Sequence, residues 1–78
     1  MAPRTAAGLS GQALEEFART VALDRLTDRD RSRADLAQAM AKRAVPAEVA
    51  AAVLDRLEAV GLVDDERFAR AWVQSRQR

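Results

Sequence analysis

The chain has 78 residues, with 13 Lys/Arg against 12 Asp/Glu and neither cysteine nor histidine. That length holds one domain with a small core. Without cysteine or histidine there are no disulfides, no usual zinc sites and no Ser-His or Cys-His catalytic arrangement, so the reading is non-enzymatic, with no metal and no cofactor.

The balanced charge is striped along the chain. Residues 19–43 carry a net +3, residues 44–66 a net −5 and residues 67–78 a net +4. Such stripes suit a protein partner with complementary patches at least as well as a polyanion, which draws a larger basic excess. The alternative is an ordinary solvated helical surface. No apolar run is long enough to span a bilayer and the start lacks a signal-peptide core, so a cytoplasmic location and no membrane partner are expected.

Residues 1–9 read as a flexible leader. Ser10 can cap a first helix running to about Thr27, with Leu9 and Leu14 as a hydrophobic staple and Leu14, Phe17, Val21 and Leu26 on one face. A polar turn, Asp28-Arg29-Asp30-Arg31, leads to Ser32, whose hydroxyl can accept from an early N–H, with Asp35 completing an approximate capping box. The second helix then covers Arg33 to about Arg43, with Leu36 and Met40 as a narrow apolar strip among alanines.

Pro46 fits the first position of a third helix, Glu48 favours its first turn, and Val49, Val53, Leu57 and Val60 recur at helical spacing. Gly61 ends that helix by adopting positive φ, with Leu62 folding back on Leu57. Asp64 caps a fourth helix, stapled by Val63 and Phe68, with Phe68, Trp72 and Val73 as its apolar patch. The fold class is therefore all-α, a short-helix bundle. Asp64, Asp65 and Glu66 read as capping and dipole residues, not as a metal or acid/base cluster.

One phrase occurs twice: Phe17-Ala18-Arg19 with Arg25 returns, 51 residues on, as Phe68-Ala69-Arg70 with Arg76. It marks residues 10–63 as one three-helix, helix-turn-helix-like repeat and residues 64–78 as the first helix of a second, truncated one.

Three segments carry a resemblance: Asp30-Arg31-Ser32-Arg33-Ala34-Asp35-Leu36, Ala52-Val53-Leu54-Asp55-Arg56-Leu57-Glu58, and the run from Gly61 to Ala69. In their order and spacing the chain resembles the RecX family of bacterial recombination regulators. The resemblance implies tandem three-helix repeats and binding to the RecA recombinase filament, dampening its activity in recombination and the SOS response. It also implies a fragment or short form, because the later repeats are missing, and a lone repeat binds more weakly than several linked ones. The family often has glycine where this chain has Ala44. If that position needs positive φ, alanine costs on the order of 1 kcal/mol.

Candidate contacts to RecA, or to filament DNA as a weaker partner, are Arg29, Arg31 and Arg33 around the first turn and Lys42 and Arg43 at the end of the second helix. Arginine forks match carboxylates and phosphates. Arg70, Arg76 and Arg78 form a second surface. Phe68 and Trp72 are the inter-repeat or self-association contact, Trp72 being core or interface before a base-stacking platform. Two alternatives stay open. One is a DNA-binding helix-turn-helix module, against which the third helix exposes Glu48, Asp55, Arg56 and Glu58. The other is an interaction fragment without independent activity.

Overall fold

The computed structural model describes residues 4–76, with side chains through Gln74. It holds four helices in chain order, α1 Gly11–Asp28, α2 Arg33–Lys42, α3 Ala47–Ala59 and α4 Asp65–Arg76, and no strand among the described residues. The all-α expectation is met. α1, α2 and α3 pack pairwise around one core, whereas α4 leaves the body. The radius of gyration shows this: it is 13.3 Å, against about 11.5 Å for a compact chain of this length.

The core is built from short side chains. Leu36 and Met40 of α2 and Leu54 of α3 are closed off from solvent, together with Ala18, Val21 and Ala22 of α1 and Ala50, Val53 and Leu57 of α3. Leu14, Phe17 and Leu26 lie half-buried against this cluster. The closest approach of α1 is thus made by its alanines, where a small Cβ lets helix backbones come together. Ala6, inside the stretch expected as leader, is also buried, and its N–H donates to Arg43 O at 2.7 Å.

The helix starts differ in how their free N–H groups are met. Ser10 sits at the N-cap of α1 with extended backbone, but its side chain makes no capping bond. Ser32 accepts from Asp35 N at 3.1 Å, as expected. Arg33 N is met from outside the helix, by Asp65 Oδ1 of α4 at 2.7 Å. Pro46 stands one residue earlier than expected, at the N-cap, and Ala47 opens α3.

α2 and α3 end in the same motif. After α3, Gly61 has φ 80°, its N–H donates to Glu58 O at 3.0 Å, and Leu62 N donates to Leu57 O at 2.9 Å. After α2, Ala44 has φ 65°, its N–H donates to Ala41 O at 3.0 Å, and Val45 N donates to Met40 O at 3.1 Å. Both are Schellman caps, in which a left-handed residue lets the chain satisfy two terminal carbonyls. Leu62 makes the expected cap bond to Leu57 with its side chain 45 % exposed, and Val63, at 3 %, is the buried residue after the cap. One expectation changes here. Val60 is 70 % exposed, because α3 stops at Ala59 and Val60 has left the buried face, while Leu54 takes its share of the core.

α4 begins as expected, with Asp64 Oδ1 accepting from Arg67 N at 3.0 Å. That bond, ahead of the charge of Arg67, holds the Asp64 carboxyl below its ordinary pKa. A carboxyl depressed in the folded state stabilises above its unfolded pKa and loses the contribution as pH falls through the folded one. Exchange protection of the Arg67 amide should therefore fall on acidification from neutral pH to about pH 2.5, and Asp64→Asn, which keeps the capping oxygen, should abolish most of that response. An equal acid response in Asp64→Asn would assign it to another group.

Candidate partner-binding surface

The end of α1, the Arg29–Ser32 turn and α2 enclose a concavity of about 200 Å³ that gathers basic side chains from three stretches of chain. Arg25 comes from the last turn of α1, Arg29 and Arg31 from the turn, and Lys42 from the last turn of α2; Asp35 is the carboxylate in the wall, and Leu36 and Ala39 contribute apolar lining. Helix C-termini favour cations, so Arg25 and Lys42 also offset their own helix dipoles. Of the expected contact residues, Arg29, Arg31 and Lys42 meet here. Arg25, known from the sequence only as part of the repeated phrase, completes the group because it lies one helical turn before Arg29.

The other candidates go elsewhere. Arg33 is a fastener: one guanidinium nitrogen lies 2.8 Å from Asp55 Oδ1 and 3.1 Å from Glu58 Oε1, and another donates to Ala51 O at 3.3 Å, tying α2 to α3. The bonds to Asp55 and then Glu58 raise its pKa above the ordinary arginine value. Arg43 faces a separate groove with Leu9, Phe17 and Asp24. Arg70 is exposed and 3.9 Å from Glu66 Oε1, a surface pair worth about 0–1 kcal/mol. The side chain of Arg76, and all of Arg78, lie outside the described residues.

Arg67 had no role in the sequence reading, yet it ties the start of α4 to the first turn. Its Nε and one terminal nitrogen each donate to an oxygen of Asp30 at 3.2 Å, and it also donates to Gly61 O at 3.2 Å and Leu62 O at 3.4 Å. With Asp65 on Arg33 N, this makes a polar clasp between the first turn and the start of α4. Two residues 37 positions apart meet in it, which local pattern cannot show.

The apolar face of α4 carries Phe68, half-buried, with Trp72 at 52 % and Val73 at 45 % exposure. At the 51-residue offset of the repeated phrase, Ala69, Trp72 and Val73 correspond to Ala18, Val21 and Ala22, the three buried residues of α1. The face that α1 turns into the core is therefore turned outward in α4. Among the described residues no group of three or more His, Cys, Asp or Glu side chains is arranged to hold a metal, and no helix is long and apolar enough to cross a membrane.

Comparison with known proteins places this geometry. The family model for RecX, first three-helix domain, matches residues 18–57, the stretch that spans most of α1, α2 and nearly all of α3. The Regulatory protein RecX of Mycolicibacterium vanbaalenii is 60% identical over 62 residues, covering 80% of this chain and 34% of that protein. Those of Mycobacterium avium and Mycobacterium tuberculosis are each 57% identical over 63 residues, covering 81% of this chain and 36% of theirs. No solved structure matches. The chain thus spans about a third of the length of the curated relatives it matches, and over that third the matched three-helix body places it in the RecX family of regulatory proteins.

Proposed function

We propose that the chain acts without catalysis, by binding the RecA nucleoprotein filament in the cytoplasm and dampening its activity in recombination and the SOS response. The observation that carries this reading is the family match over the three-helix body, joined to relatives that are named regulatory proteins. The basic pocket between α1 and α2 would be its first contact surface, through Arg25, Arg29, Arg31 and Lys42. Phe68 and Trp72 on α4 would carry a further contact, to the next repeat or to a second copy. Linked contacts multiply affinity through effective concentration, so one repeat and an added helix should bind well below the strength of a full-length relative.

The test is single-strand-dependent ATP hydrolysis by RecA, measured with this chain and with the full-length Mycobacterium avium relative. Hydrolysis is expected to fall with both, this chain needing about a hundredfold more protein. If neither binds or slows the filament, the reading is wrong. Tight, salt-sensitive binding to duplex DNA without RecA would instead favour the helix-turn-helix reading.

A further inference from the structure

We propose that the basic pocket is an oxyanion site for carboxylate side chains, and that its occupant is an acidic segment of a protein partner. Four cations, Arg25, Arg29, Arg31 and Lys42, converge on one small concavity whose wall offers a single carboxylate, Asp35. Like charges gathered this way repel unless a counter-charge enters. Asp28 offsets only Arg31, pairing with one of its terminal nitrogens at 3.0 Å, and is itself 73 % exposed.

Arg31 separates this pocket from an ordinary solvated patch. Its side chain is only 17 % exposed, so the guanidinium is held in place before any ligand arrives, which lowers the ordering cost of binding. Its Nε is buried and has no hydrogen-bond partner. A buried donor without an acceptor is unfavourable, and an oxyanion entering the pocket supplies the acceptor that the fold does not. Arg33 and Arg67, by contrast, have acceptors for their bonds within the fold.

The surroundings favour carboxylate over phosphodiester. A nucleic-acid strand is a continuous polyanion, and beyond the pocket it would meet the exposed carboxylate of Asp28 on a chain whose net charge is only +1. An isolated pair of acidic side chains avoids that repulsion. Ala39, half-buried in the lining, offers apolar contact to the methylenes of a glutamate, which a phosphate lacks. The source of the segment, a protein partner, rests on the regulatory reading; the chemistry of the site does not.

The test uses the ¹⁵N-labelled chain at constant ionic strength, titrated with capped tetraglutamate, capped tetraglutamine, inorganic phosphate and a short single-stranded oligonucleotide. Tetraglutamate is expected to shift the Arg31 Nε–H and the Lys42 amide saturably, and tetraglutamine to leave both unchanged. The double variant Arg25→Gln, Lys42→Gln alters two exposed residues, so it should keep the fold and weaken tetraglutamate binding at least tenfold. Tighter binding of phosphate or oligonucleotide overturns the carboxylate assignment, and absence of any saturable shift overturns the site. Neither result touches the ATP-hydrolysis test, since filament binding through another surface would still register there.

Discussion

Ala44→Gly should raise the melting temperature of this chain, and Gly61→Ala should lower it by a similar amount. The two residues do one job, the left-handed step after α2 and after α3, with φ of 65° and 80° and matching hydrogen bonds on either side. An L-residue with a Cβ costs about 1–2 kcal/mol there. Glycine returns part of that gain, about 0.4–1 kcal/mol, through the greater freedom of its unfolded chain. The difference leaves about 0.5–1 kcal/mol for each substitution, in opposite directions, or a few degrees in a domain of this size. At Gly61 a Cβ would meet nothing within 4 Å, so the substitution isolates the backbone cost from any clash. Thermal unfolding followed by far-ultraviolet circular dichroism measures both; a fall in Ala44→Gly would mean that the α2 cap is not strained by its side chain.

Arg67→Ala should release α4 while the three-helix body stays folded. Among its described side chains α4 contributes none to the buried core, and a helix of its length is marginal in water by itself. Its direction depends on the fork from Arg67 to Asp30 and on the contact of Asp65 with Arg33 N. Both members of the fork are over a third exposed, at 44 % and 41 %, so solvent screening limits its worth to about 1 kcal/mol. Even that much corresponds to about a fivefold loss of amide exchange protection along α4. Protection at Leu36 and Leu54 should not change. Arg67→Lys should behave like the alanine variant, because an ammonium cannot form the two-pronged bond. Equal loss across α2 and α3 would show that the clasp supports the whole fold instead.

The helix boundaries were legible because their chemistry is local. Ser32, Gly61 and Asp64 each act within a few residues of themselves, and each does what its type suggests at that place. Pro46 was misplaced by one position, since its fixed φ suits the N-cap as readily as the first helical residue. The buried alanines of α1 were missed because alanine carries little hydrophobic signal; only packing reveals that Ala18 and Ala22 are sealed while the larger Leu14 and Phe17 are not. The candidate site was legible in part. A run of alternating arginines and aspartates shows that charge is present, but not that Arg33 turns back onto α3 while Arg29 and Arg31 join Lys42. Asp30 and Arg67 needed the tertiary fold to meet.

The position of Trp72 has an optical consequence. The chain has one tryptophan and no tyrosine, so its intrinsic emission reports a single place, midway along α4 and half open to water. Melting of the body takes the Asp30 turn away from α4, so that fluorophore registers unfolding through the release of α4. Anything that covers α4, whether a following repeat, a second copy or a filament, shifts its emission to the blue without any label being added.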